Sequence, residues 1–393
     1  MRIPLLAGLL TAALVAAAPF GVSAQLAADP VKIDLVAVLR GPQATLGQQV
    51  RDGFLLGVAA RGGKLGGRTV DIAIIDDESK PDVAVNKVRA ALGQTPPAFV
   101  VGPVFSNILG AIIKPVLESG AVMISPNAGP STFAGASCAP NFYVTSYQND
   151  QVHAVMGKVA TDRGYKRVYL LAPNYQAGKD AMAGFKRFFK GEVVGEVYVP
   201  LTQMDFQADL ARIAEAKPDA VFAFMPGGLG IALVKQYRQA GLETIPFLST
   251  FTVDESVLPA LGDVAVGLNS AANWAPNMDN AANKKFVTDF EAKYGYVPGT
   301  YAAQAYDTAA LIDAALTATG GSTADPAKLR TALEQAKFQS VRGNFQFGKN
   351  HYPVQDFWLT KVVKRPDGKF QTETVQRVFE ADTDPYAAAC EMH

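Results

Sequence analysis

The chain has 393 residues, 36 Lys+Arg against 36 Asp+Glu, a formal net charge of +0 and a hydrophobic fraction of 49%. That length exceeds one typical core and implies two domains. The balanced charge, with no basic block, argues against a nucleic-acid partner.

The chain opens as a secretory leader. Arg2 is the sole charge before Asp29, Ile3 to Phe20 is apolar, and Val22-Ser23-Ala24 is a small-residue cleavage site. Residues 1–24 are therefore expected to be a signal peptide cut near Ala24. The alternative for so long a run is an uncleaved anchor. No Cys stands at the cut, so lipid anchoring is not supported.

Strand and helix signals then alternate. Val31–Leu39 reads as a strand, Gly47–Ala60 as a helix, Thr69–Ile75 as a strand and Pro81–Leu92 as a helix. The glycine run Gly62 to Gly67 lacks the ending of a phosphate loop and reads as a surface turn. Phe99-Val100-Val101, a helix over Asn107–Glu118 and Ala121–Ile124 form a minimal parallel βαβ unit. Its turns, Pro103–Ser106 and Ser125–Gly129, should open on one crevice, where open α/β sheets bind ligands.

From Asp150 the alternation restarts, with strands expected at Arg167–Leu171, Gly195–Tyr198, Ala220–Phe224 and Pro246–Ser249. The helices between them run Val152–Arg163, Gly178–Phe189, Phe206–Ala216 and Leu229–Ala240, with a short one at Asp254–Leu261. Helices Asn283–Tyr294, Tyr301–Thr319 and Pro326–Ala336 follow. The chain closes on strands Val341–Phe347, Gln355–Lys364 and Phe370–Phe379, with Asp367-Gly368 turning the last hairpin. The alternation argues for doubly wound α/β sheets.

No nucleophile elbow, phosphate loop or dinucleotide fingerprint is present, so no catalytic residue and no cofactor are expected. Asp76-Asp77-Glu78 reads as solvated acids or helix caps rather than a metal site, and the three histidines lack ligand spacing. Cys138 and Cys390 are an even pair for one disulfide. Leu46, Phe105, Phe224, Met225, Phe251 and Trp274 stand at or beyond element ends. Each alone reads as core; converging, they would make an apolar pocket with few polar anchors. Ser106 reads as an N-cap whose hydroxyl, with the adjacent N–H groups, also suits a carboxylate.

The tracts VAVLRGPQATLGQQVRDGFLLGV, DDESKPDVAVNKVRA, VVGPVFSN, ESGAVMISPNAG and YAAQAYDTAALIDAAL occur in one order over the chain. With them the sequence resembles the periplasmic leucine/isoleucine/valine-binding family, the type I solute-binding proteins of ABC importers. The resemblance implies two Rossmann-like lobes with parallel sheets, joined by a three-crossover hinge. Lobe I would be 29–146 plus 276–350, and lobe II 147–275 plus 351–393. It also implies a periplasmic monomer that closes on a small ligand and delivers it to inner-membrane permease subunits. The family's carboxylate-holding serine falls on Ser106 and its next loop on Asn127-Ala128-Gly129, with Gly129 where amino-acid binders often offer a threonine. Their ammonium-binding acid falls on Phe251, which weakens an amino-acid reading, since a buried ammonium without an anion costs several kcal/mol. Asp254 is the neighbouring substitute, with a capping role also open to it.

GQQVRDGF, PNYQAGKDA, MPGGLG and NWAPNMDNAANKKFV resemble the branch that binds aromatic carboxylates. Tyr175 would then wall the site or donate to a ring hydroxyl, with Gly227 and Trp274 also at the ligand. The expected ligand is a benzoate- or hydroxycinnamate-type acid. A branched-chain amino acid, or a secreted enzyme on this fold, is the alternative.

Overall fold

The computed structural model describes Met1 and residues 29–392. The leader expected over residues 1–24 lies, apart from Met1, outside them. Two α/β lobes are built around two sheets. The first contains β1 (Val31–Ala37), α1 (Ala44–Ala59), β2 (Lys64–Leu65), β3 (Arg68–Asp76) and α2 (Pro81–Gln94). It continues through β4 (Phe99–Val101), α3 (Ser106–Glu118), β5 (Val122–Ser125) and β6 (Phe142–Val144). Its six strands lie in the order β2-β3-β1-β4-β5-β6, all parallel except the β2–β3 pair.

The chain then enters the second lobe with α4 (Asn149–Asp162), β7 (Arg167–Pro173), α5 (Gln176–Phe188) and β8 (Glu192–Val199). Next come α6 (Gln207–Ala216), β9 (Ala220–Ala223), α7 (Gly228–Gln239), β10 (Phe247–Thr250), α8 (Leu258–Leu261) and β11 (Asn269–Ala272). Three helices return to the first sheet: α9 (Ala281–Tyr294), α10 (Thr300–Ala318) and α11 (Pro326–Glu334). Finally β12 (Gln346–Phe347), β13 (Pro353–Lys364) and β14 (Phe370–Asp382) join the second sheet, ordered β12-β13-β11-β10-β9-β7-β8 with β14 on β13.

Most expected elements form within a few residues of their sequence bounds. β4 is buried along its length because α3 covers it with Ile108, Leu109, Ile112, Ile113 and Val116. Each such side chain contributes about 1.5–3 kcal/mol by leaving water. α1 crosses α10 at backbone contact. A Cβ on Gly53 would stand 2.1 Å from the Ala302 carbonyl oxygen, so only glycine fits there.

Three expectations are corrected. β11, Asn-Ser-Ala-Ala, has no β-branched or aromatic residue and gave no strand signal; it forms because β10 and β13 pair with it from both sides. The strand expected at Val341–Phe347 shrinks to Gln346–Phe347, because Ser340 and Val341 instead bind the buried Asp307 carboxylate. The helix expected at Asp254–Leu261 is a turn capped by Asp254 Oδ1, which accepts from the Ser256 N–H at 2.8 Å; only Leu258–Leu261 is helical.

The chain passes between the lobes after β6, after β11 and between α11 and β13. At these crossovers the Ser146 carbonyl accepts from Asn273 Nδ2 (3.1 Å), Gln355 Nε2 (2.6 Å) and Arg342 Nη1 (3.1 Å), joining all three connections. Buried Arg342 also meets buried Asp307, Nε to Oδ2 at 3.1 Å. A disulfide joins Cys138 to Cys390 over a separation of 252 residues, fixing the tail against the connection between β5 and β6.

Candidate functional site

Parallel strands place their following loops at one edge, and the two sheets face each other across those edges. One enclosed cavity lies there. β1 leads to Leu46, β4 to Val104, Phe105 and Ser106, and β5 to Asn127 and Ala128. The first crossover supplies Tyr147, Asn149 and His153; β7 leads to Tyr175 and Ala177, β9 to Phe224 and Pro226, and β10 to Phe251. Tyr301 of α10 completes the lining. Among the described residues, no lysine, arginine, aspartate or glutamate lines it. A larger open hollow of ≈ 790 Å³ lies behind the crossovers, around Arg342 and Trp358, away from these strand ends.

The walls are aromatic. Tyr147 stacks on Phe251 at 5.2 Å between centroids, and Tyr175 stacks on Phe224 at 6.3 Å. Phe105 meets Tyr175 edge-on at 6.1 Å, and His153 meets Phe224 edge-on at 4.7 Å. Edge and offset contacts of this kind add about 0.5–1.5 kcal/mol to the area buried. Burial pushes the hydroxyls of Tyr147, Tyr175 and Tyr301 well above the ordinary tyrosine range, so they remain neutral donors. Burial also lowers His153 from 6.5 to about 3, which keeps its imidazole uncharged. Phe251 has φ 52°, a left-handed backbone that a bulky residue adopts at a cost and that clusters at ligand sites.

The volume open to the centre of a water molecule is ≈ 20 Å³, about what one water needs. The lobes are thus drawn together. The Gly228 N–H of α7 donates across the cleft to the Pro42 carbonyl at 3.1 Å. A six-membered ring does not fit a space of that size.

Of the residues expected at the ligand, Leu46, Phe105, Ser106, Asn127, Ala128, Tyr175 and Phe251 are brought together. Ser106 is not the N-cap. Phe105 has the cap geometry and Ser106 is the first helical residue, its hydroxyl accepting from Asn149 Nδ2 at 3.3 Å. Both ends of the Asn127 carboxamide are engaged: Nδ2 donates to the Val104 carbonyl at 2.6 Å and Oδ1 accepts from the Tyr147 hydroxyl at 3.1 Å. Gly129 stands behind the lining, with its N–H on Asn149 Oδ1 and its carbonyl accepting the Asn149 N–H. A Cβ there would sit 1.9 Å from the Tyr147 carbonyl oxygen, so the family's threonine does not fit this chain.

Gly227 is outside the lining; it backs onto Leu46 and the Gln43 carboxamide. Trp274 is far from the role expected of it. It packs on Phe286 in the core under α1, α9 and α10, and its Nε1 donates to Asn283 Oδ1 at 2.8 Å. Met225 is second-lobe core. The acids at the end of β3 serve the backbone: Asp76 Oδ1 accepts from the N–H groups of Leu39 and Glu78, and Asp77 Oδ1 from Ser79.

Tyr147, Asn149, His153 and Tyr301 were missed. Tyr147 and Asn149 follow β6 in a stretch that reads as loop, and His153 stands inside the helix expected at Val152–Arg163. Tyr301 opens a resemblance tract, yet its helical spacing reads as core.

A family model described as "Periplasmic binding protein" matches residues 30–369. "Leu/Ile/Val-binding protein homolog 6" of Brucella melitensis is 31% identical over 388 residues, covering 95% of this chain and 98% of its own. A solute-binding protein of an ABC transporter from R. palustris, solved in complex with benzoate, superposes with TM-score 0.87 at 34% identity, covering 92% of this chain and 100% of that one. A second from R. palustris, in complex with 4-hydroxybenzoate, has TM-score 0.84 at 28% identity, covering 90% and 98%. Two lobes closing on one cavity, together with a family match along most of the length, place this chain in the periplasmic binding protein family, among the solute-binding proteins of ABC transporters.

Proposed function

We propose that the protein captures a small aromatic carboxylate of the benzoate or hydroxycinnamate type in the periplasm and hands it to a membrane permease. The observation that carries this is a cavity walled by aromatic rings and free of charged side chains. A zwitterionic amino acid would bury its ammonium there with no anion opposite, at a cost of several kcal/mol. Asp254 is no substitute, since it caps the turn after Phe251 and does not line the cavity. A carboxylate needs only donors, and Ser106 with the unpaired first-turn amides of α3 offers them at the positive end of the helix. The ring would then lie among Phe105, Tyr175, Phe224 and Phe251. The ligands named for the two R. palustris proteins support this reading.

The name of the Brucella relative favours a second reading, a branched-chain amino acid. A thermal-shift screen with leucine, valine, benzoate and coumarate separates the two. Stabilisation by benzoate or coumarate is expected, and stabilisation by leucine alone would sink the aromatic reading.

In the same proposal the lobes divide at 29–146 plus 276–350 and 147–275 plus 351–393. The chain acts as a monomer, is exported with cleavage near Ala24, and binds its ligand without turnover. Mass spectrometry of the exported protein tests the cut, and chromatography of ligand after long incubation tests the absence of turnover.

A further inference from the structure

Ser106 is held from behind by an amide that has only one workable orientation. Asn149 Nδ2 donates to Ser106 Oγ at 3.3 Å and to Asp180 Oδ2 at 2.9 Å, while Asn149 Oδ1 accepts from the Gly129 N–H at 3.2 Å. Turning the amide over would set its oxygen against a carboxylate and its nitrogen against an N–H. Asp180 is fixed in turn. Its Oδ1 accepts from Ser131 Oγ (2.6 Å) and Gln176 Nε2 (2.8 Å), and its Oδ2 also accepts from the Ser131 N–H (3.1 Å). Asn149 and Asp180 are both buried.

A serine hydroxyl has one proton and two lone pairs. Facing a group that can only donate, Ser106 must meet it with a lone pair. Its proton is left for the cavity, which Ser106 and Asn149 both line. We infer that Asn149 and Asp180 are a positioning pair that fixes Ser106 as a donor, so that the site accepts an acceptor such as a carboxylate oxygen at that point. The inference rests on the carboxylate reading above, and it assigns to two buried residues a role that neither composition nor packing requires.

The test reverses that polarity while keeping shape and net charge. In the double variant N149D/D180N, the carboxylate introduced at position 149 still accepts from the Gly129 N–H, and the amide introduced at position 180 donates to it at the loss of the bond from the Ser131 N–H. Ser106 now faces an acceptor and gives it its proton. Benzoate and leucine, both carboxylates, are titrated calorimetrically into wild type, S106A, N149D/D180N and the triple variant. Ser106→Ala is expected to weaken carboxylate binding about ten-fold or more in wild type. In the reversed background the same substitution is expected to change it less than about two-fold. Equal losses in both backgrounds would overturn the inference, because charge repulsion or loosened packing would leave the Ser106 contribution intact. Should N149D/D180N fail to fold by circular dichroism, N149A replaces it, with the Ser106→Ala loss expected to fall below about three-fold. Binding of leucine but not benzoate removes the aromatic reading and leaves this one standing. Binding of neither by wild type overturns both.

Discussion

At the scale of the residue, the cavity is lined by single groups held in fixed states. Ser106 is expected to give the ligand its most consequential hydrogen bond. Ser106→Ala should lower affinity by about 1–3 kcal/mol, as for a hydrogen bond to a charged group in a closed site. Isothermal titration checks this, and unchanged affinity would remove Ser106 from the ligand.

His153 gives a prediction in pH. Its folded value, about 3, lies below the ordinary 6.5, because burial among Phe222, Phe224 and Phe251 disfavours the charged ring. The unfolded chain takes up this proton first on acidification, so the stabilising contribution is complete above about pH 6.5 and is lost as pH falls toward about 3. Buried acids slope the other way. Asp77 and Asp384, raised to about 6, and Glu255, raised to about 7, contribute stability that is lost as pH rises through those values. Those acids are common to wild type and His153→Leu and cancel in the comparison. The variant should lose less melting temperature than wild type between pH 7 and pH 4, and parallel curves would refute the assignment.

At the scale of the element, strand ends and helix starts were legible wherever a β-branched run stopped at a turn residue, as at Val101-Gly102-Pro103. Residues immediately beyond such ends, Phe105, Ser106, Asn127 and Phe251, were therefore legible as site candidates, whereas Tyr175 came only with the family resemblance. β11 was not legible, because neighbouring strands rather than local preference make it extended. Trp274 illustrates the opposite failure: an aromatic just past a strand end turned inward because α9 and α10 offered a core and Asn283 an acceptor. The tail is held by its cystine, and also by Tyr386, whose hydroxyl donates to Asp150 Oδ2 at 2.7 Å. Replacing both Cys138 and Cys390 by serine should cost about 2–5 kcal/mol, since the bond closes a very long loop in the unfolded chain. Ligand affinity should hold, as neither cysteine lines the cavity. Urea unfolding and titration test the two statements separately.

At the scale of the whole molecule, the crossovers form one buried polar junction in which Arg342 and Asp307 neutralise each other. Removing one partner leaves an uncompensated buried charge. Arg342→Leu is expected to cost about 3–5 kcal/mol, with Asp307→Leu in the same chain recovering much of it. Denaturant midpoints of the two single variants and the double variant decide this, and additive losses would show that the pair is not coupled.

The sequence by itself determined the alternation of strands and helices, the pairing of two cysteines and the serine at the start of a crevice helix, because each depends on neighbours a few residues apart or on mere count. Tertiary structure decided which side chains face the cavity, why residue 129 must be glycine, how Ser106 is oriented, and that three distant connections share one carbonyl. Those facts depend on groups that meet only when two lobes, assembled from interleaved segments of the chain, come together.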